Sequence, residues 1–306
     1  MIFRYTCKAV TWIDLECPTH EEVLKVMKEF NVHPLVGQEL VGPSLRPKVE
    51  LYPDFIYLIL HFPVMLRKHF KHSAEQREID FIVGKNFIVT TRYDAVDALH
   101  QFSKVFEVSS ILDRGNMGEH AGFVFFYMIR SLYDSLLHEM EALSDAVRSI
   151  ENHIFKGKER AMVVRISEVG RELLDAKRAL RLHKEILESF EMASGRFFGE
   201  EFKYHAHFII GEYYKAHNAL EDNIESVAEL RETNNSLLNT RETETMKRIS
   251  ILVFLTLPAT LITNIFATTA NNAPIVGHPL DWYIFMFLII CSTIFLFVMA
   301  KWRKWF

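Results

Sequence analysis

The chain has 306 residues, a net charge of -4, 49% hydrophobic residues and 24% charged ones. That length allows one large domain or two modest ones, and so mild an acidity gives no reason to expect nucleic acid as a partner. Three cysteines, Cys7, Cys17 and Cys291, are too few and too scattered for a disulfide framework or a zinc knuckle, so free thiols are expected.

These averages conceal a division along the chain. From Met1 to about Arg248 the sequence is charged and mixed, whereas Ile249 to Ala300 holds no Lys, Arg or Glu and only Asp281 as a carboxylate. The opening Met1-Ile2-Phe3-Arg4 lacks the basic-then-apolar layout of a signal peptide, so the N-terminal part is expected to stay in the cytoplasm. Residues 1–112 read as a cytoplasmic α/β domain. Val10 to Glu16 suits a strand, and Thr19-His20-Glu21-Glu22 is a capping-box pattern opening a helix that runs to about Phe30. Val49–Leu51 and Phe55–Phe62 are strand-like, rich in branched and aromatic residues. Ile79–Val83 and Phe87–Thr91 flank Gly84-Lys85-Asn86 as a hairpin, and a helix is expected from about Ala95 to Phe106.

Residues 113–248 read as a stalk of long helices. After a break at Asp113-Arg114-Gly115-Asn116, Ile129, Leu132, Leu136, Met140, Leu143, Val147, Ile150 and Ile154 advance by three and four, as in a coiled-coil seam. Ile166, Val169, Leu173, Ala176, Leu180, His183, Leu187 and Phe190 repeat the device in what reads as one helix. A third helix starts near Glu200 and meets no strong breaker, so it runs into the first apolar segment over about 66 residues, or about 100 Å. Asn223 and Asn234 fall near its seam; simple solvation is preferred for them over a register-fixing burial.

Residues 249–266 and 282–300 are each long and apolar enough to cross a hydrocarbon core of about 30 Å. Lys247 and Arg248 precede the first; Lys301, Arg303 and Lys304, in the tail 301–306, follow the second. The connection 267–281 has no Lys or Arg. The positive-inside rule then places both termini in the cytoplasm and the loop outside, in a multi-pass protein of the inner or plasma membrane. Trp282, Tyr283, Trp302 and Trp305 suit the interfacial aromatic belts.

Met246, Ile249, Ser250, Val253, Leu257, Thr260, Asn264 and Ala267 share one face of the first span by their spacing of three and four. Several copies of that face around an axis would line a pore, apolar near the cytoplasm and polar near the outside. A tight helix pair with Thr and Asn bonded across it is the alternative. Pro258 removes a backbone donor in this span, and a bend is expected there.

No catalytic constellation is legible. Gly84-Lys85 lacks the upstream glycine of a P-loop, and His138-Glu139 has no second histidine at metalloprotease spacing. His205 and His207, two apart on a helix, point about 200° apart and cannot easily chelate one ion. His183 reads as a seam residue with its hydrogen bonds met, and Arg67-Lys68-His69-Phe70-Lys71-His72 as a solvated loop. No enzyme activity and no cofactor are expected.

The whole layout resembles the CorA family of magnesium channels, which includes the ZntB zinc transporters. The residues that carry the resemblance are Thr243-Glu244-Thr245-Met246-Lys247, the span with Pro258 and Thr260, and the ending Lys301-Trp302-Arg303-Lys304-Trp305-Phe306. The resemblance implies an α/β domain followed by long antiparallel helices and two C-terminal spans, assembled as a funnel-shaped homopentamer. It implies a first span lining the pore and divalent cations as cargo or regulators. Met246, Ile249, Val253 and Leu257 would form a hydrophobic gate, and Ser250, Thr260, Asn264, Thr268 and Thr269 the polar ion pathway. The family's Gly-Met-Asn at the outer end of the first span is here Ala267-Thr268-Thr269. Altered selectivity is therefore expected. Asn271 and Asn272 lie just beyond, but turn formation near Pro274 is the preferred reading for them. The rivals are a non-conducting sensor on the same scaffold and a weakly selective, tension-gated channel.

Overall fold

A computed structural model of the protein describes residues 1–44, 46–63, 77–112, 119–267 and 280–302. The expected break at 113–116 and the basic cluster at 67–72 lie outside them. Two compact units divide the chain, Met1–Glu232 and Thr233–Phe306.

The first unit is built on a mixed six-stranded sheet. Its strands are β1 (Ile2–Cys7), β2 (Val10–Glu16), β3 (Lys48–Leu51), β4 (Phe55–Phe62), β5 (Arg77–Gly84) and β6 (Phe87–Arg92). They lie in the order β1-β2-β6-β5-β4-β3, with β2 and β6 parallel and every other pair antiparallel. β4 and β5 are buried on both faces, which explains the near-continuous apolar and aromatic character of β4, while β5 carries Glu78 and Asp80 into the interior. β1 was not foreseen: as an edge strand it alternates covered and open positions too weakly to register as a pattern.

Helix α1 (His20–Phe30) begins at the expected capping box, with the Thr19 hydroxyl accepting from the Glu22 amide and Glu22 Oε2 accepting from the Thr19 amide. A short helix that was not anticipated, α2 (Pro34–Glu39), starts on a proline whose fixed φ suits a first turn. Together α1 and α2 cover one sheet face, packing Val23, Val26, Val36 and Leu40 on Ile13, Leu15, Tyr57, Ile59, Ile82 and Val89. α3 (Asp97–Leu112) is longer than expected and covers the other face through Phe102 and Phe106, whose rings lie 5.5 and 5.6 Å from that of Trp12.

The helical half follows. α4 (Ala121–Phe155) buries all eight positions of its predicted seam. The second seam does not belong to one helix: α5 (Glu159–Leu180) and α6 (His183–Phe198) are separated by a turn at Arg181-Leu182. Leu180 and His183 remain three residues apart across the turn, so the periodicity runs on where the helix does not. No glycine or proline marks the place. After a single 3-10 turn (Glu200–Phe202), α7 runs unbroken over 65 residues from Lys203 to Ala267. Asn223 and Asn234 are buried, 5% and 1% exposed, which overturns the solvated reading. Asn223 Nδ2 donates to the Ala219 carbonyl at 2.8 Å and to that of Met140, on α4, at 3.4 Å. Such a bond ties α7 to α4 at one register. The last helix is α8 (Asp281–Trp302).

Candidate ion pathway

α7 from about residue 249 onward and α8 are long and apolar, with mean hydropathy 1.6 and 2.6 over their most apolar stretches, of which 6% is buried. A core helix of a soluble domain would be mostly covered. Leu252, Leu257, Leu261, Ile265, Phe287 and Phe295 are instead between 59% and 68% exposed, an apolar surface that requires lipid or other copies of the chain.

Each of these segments is covered along one stripe. On the first it consists of Ile251, Phe254, Leu255, Pro258, Ala259 and Ile262. On α8 it consists of Phe285, Ile289, Ser292, Thr293, Leu296, Met299 and Ala300. Both advance by three and four, the spacing of a helix–helix contact. The predicted pathway residues lie elsewhere. Met246, Ile249, Val253 and Leu257 are 63%, 52%, 48% and 60% exposed, and Ser250, Thr260, Asn264 and Ala267 are exposed as well. At about 100° per residue, this face stands about half a turn from the covered stripe. Thr268, Thr269, Asn271 and Asn272 fall outside the described residues.

The threonines of the first span have their protons committed. Thr256 Oγ1 donates to the Val253 carbonyl at 3.0 Å, Thr260 Oγ1 to that of Thr256 at 3.0 Å, and Thr263 Oγ1 to that of Ala259 at 2.8 Å. What Thr260 offers away from its helix is therefore lone pairs. A water bound to a cation turns its hydrogens outward, so such a hydroxyl suits a hydrated cation better than an anion.

The histidines singled out in the sequence have other roles. His183 is fully buried, accepts from the Tyr133 hydroxyl on Nδ1 at 2.7 Å and donates from Nε2 to the His61 carbonyl at 3.0 Å. Burial pushes its imidazole down to about 3, so it is neutral, and the two bonds fix its tautomer. His207 lies 3.0 Å from Glu191, while His205 stacks on Phe202, so the two do not converge. Among the described residues no three His, Cys, Asp or Glu side chains gather as a metal site. Sequence reasoning missed a polar network on the sheet: Trp12 Nε1 donates to Thr90, Thr90 to Asp14, and Arg92 to Asp14 and Glu16, all within 3.1 Å. Asp14 and Glu16 on either side of Leu15 in β2, and the polar end Thr90-Thr91-Arg92 of β6, were its only trace.

An α/β unit, long helices, and two exposed apolar segments with a hydroxyl- and amide-bearing stripe define a two-span membrane protein. The family model described as CorA-like Mg2+ transporter protein matches residues 8–303, and the chain belongs to that family. It is 20% identical over 300 residues to the cobalt/magnesium transport protein CorA of Thermotoga maritima, covering 96% of this chain and 83% of that one. Its fold matches the complete structure of the CorA magnesium transporter from Methanocaldococcus jannaschii with a TM-score of 0.84 at 16% identity, over 97% of this chain and 92% of that one. It also matches full-length CmaX with a TM-score of 0.73 at 15% identity, over 97% and 89% of the two chains.

Proposed function

We propose that the chain forms a homopentameric membrane channel or transporter for hydrated divalent cations, with its first span lining the pathway. The observation that carries this reading is the placement of Met246, Ile249, Val253, Leu257, Thr260 and Asn264 on the open side of the first span, opposite its covered stripe. Family membership over residues 8–303 supports metal transport as the activity. In this reading both termini face the cytoplasm, and the four apolar residues form a constriction that must rewet before ions pass. Thr260 and Asn264 hold the ion through its water shell, which Mg²⁺ gives up reluctantly. Replacement of the family's Gly-Met-Asn by Ala267-Thr268-Thr269 weakens discrimination among divalent ions. No catalytic step is assigned to the chain.

Flux of Mg²⁺, Zn²⁺, Co²⁺ and Na⁺ into proteoliposomes tests the proposal. Divalent flux well above that of protein-free vesicles is expected, and its absence with verified folding would refute it. The changed sequence at 267–269 favours one rival, a non-conducting sensor on the same scaffold. Thr260→Ala and Asn264→Ala separate the two, because they alter flux only where a pore operates.

A further inference from the structure

On the sheet face covered by α1 and α2, β5 carries two carboxyl groups two residues apart, Glu78 and Asp80, and therefore side by side. Both are buried, Asp80 at 0% and Glu78 at 6% exposure. Their donors are unequally shared. Glu78 accepts from the Ser44 amide at 2.9 and 2.7 Å and from His61 Nε2 at 3.1 Å. Asp80 accepts from the Tyr93 hydroxyl on Oδ2 at 3.1 Å, while its Oδ1 is buried without a donor.

The surrounding groups do not supply what is missing. From β4 the Tyr57 hydroxyl faces the pair, itself without a partner, and from β6 Thr91 sits directly across from Asp80. From the end of α2 comes a third carboxylate, Glu39. Lys48 is committed to Glu39 and Glu50, and the His61 ring is bonded to Glu78 and not to Asp80. Two carboxylates facing each other out of water cannot both ionise. One proton on Asp80 turns that repulsion into a hydrogen bond. Burial, and then the charge of Glu78, raise the Asp80 carboxyl well above its usual range, in the same direction as the geometry. A proton shared by the two carboxyls would give the buried Asp80 Oδ1 the partner it lacks, and among the described residues no three ligands gather as a metal site.

We propose that Asp80 and Glu78 form a proton-binding site in the first unit, Asp80 holding the proton and donating it to an ionised Glu78 at neutral pH. The site joins three parts of the unit. Glu78 anchors the Ser44 backbone beyond α2, the single Tyr93 hydroxyl proton is shared between Asp80 at 3.1 Å and the Glu39 carbonyl at 3.3 Å, and the His61 carbonyl receives the Nε2 proton of His183 on α6. Loss of the proton places a second buried charge at that junction, so alkaline pH loosens the α2 segment and its link to the helices.

Infrared difference spectroscopy of the full-length protein in lipid tests the assignment. At neutral pH the wild type should show the carbonyl stretch of a protonated carboxylic acid, and Asp80→Asn should lack it. Because Asp80 holds its proton in the folded state after the unfolded chain has released it, the contribution of Asp80 to stability falls as pH climbs above 3.8. Asp80→Asn, whose amide can still donate to Glu78, should flatten that fall. No such band at neutral pH in the wild type, or a band unchanged in Asp80→Asn, would overturn the proposal. So would a metal ion that survives chelation in the wild type and is lost in Asp80→Asn. Should the variant fail to fold, the wild-type band alone decides: disappearance only at alkaline pH supports the site, and disappearance below neutrality overturns it.

Discussion

Replacing His183 by leucine tests the buried bridge between α6, α4 and β4. At neutral pH the variant leaves the Tyr133 hydroxyl and the His61 carbonyl without their partners in a fully buried site. Each unsatisfied group costs about 1–3 kcal/mol, so a loss of about 2–6 kcal/mol is expected. Acid acts in the opposite sense on the difference. The His183 imidazole falls from its ordinary value of 6.5 to about 3 in the folded chain. At about 1.36 kcal/mol per pH unit, its contribution is present above 6.5 and declines by about 5 kcal/mol as pH falls toward 3. Leucine cannot titrate. The gap between wild type and His183→Leu should therefore narrow steadily as the solution is acidified. Denaturant unfolding of the full-length protein in micelles, followed by tryptophan fluorescence, measures it at a series of pH values. Tyr133→Phe serves as the control, losing the bond to Nδ1 but keeping the acid dependence. A gap that stays constant or widens on acidification would refute the neutral, doubly bonded histidine.

Three further outcomes are expected. Arg92→Leu strips the buried Asp14 of its guanidinium partner at 3.1 Å; breaking such a pair costs about 3–5 kcal/mol, and thermal unfolding should show it. Asp14 is already pushed upward by burial and held back by Arg92; without Arg92 the folded state holds the Asp14 proton more tightly still, so the deficit of Arg92→Leu should shrink as acid neutralises the buried carboxyl. In liposomes, Thr260→Ala and Asn264→Ala should each change divalent flux severalfold with folding intact. Restoring the family's pattern with Ala267→Gly and Thr269→Asn should raise the ratio of Mg²⁺ to Co²⁺ flux, and an unchanged ratio would dissociate selectivity from these positions.

Much of the architecture was open to reading because it repeats along the chain. The seam residues of α4 are all buried, and α7 runs continuously from Lys203 through the first apolar segment, as spacing alone required. The stripe with Thr260 and Asn264 was equally legible, since a helix converts sequence spacing into a face without help from the rest of the fold. The break at Arg181-Leu182 was not. It preserves the three-residue step from Leu180 to His183 and carries no glycine or proline, so nothing local distinguishes it from a continuing helix. Asn223 and Asn234 misled for a related reason: a polar residue near a seam is solvated or buried according to what packs beside it.

The sequence by itself determined the membrane segments, the long helix that enters the first of them and the residues sharing its open face. All of these depend on runs and periods within one stretch of chain. Only the tertiary structure decided which buried polar groups meet. Asp80 stands beside Glu78 on β5, across from Thr91 on β6, and takes its one donor from Tyr93; His183 finds a carbonyl 122 residues away. Those meetings are set by strand register and by helices closing over a sheet, and the energy of a buried charge or proton exists only once water has been excluded around it.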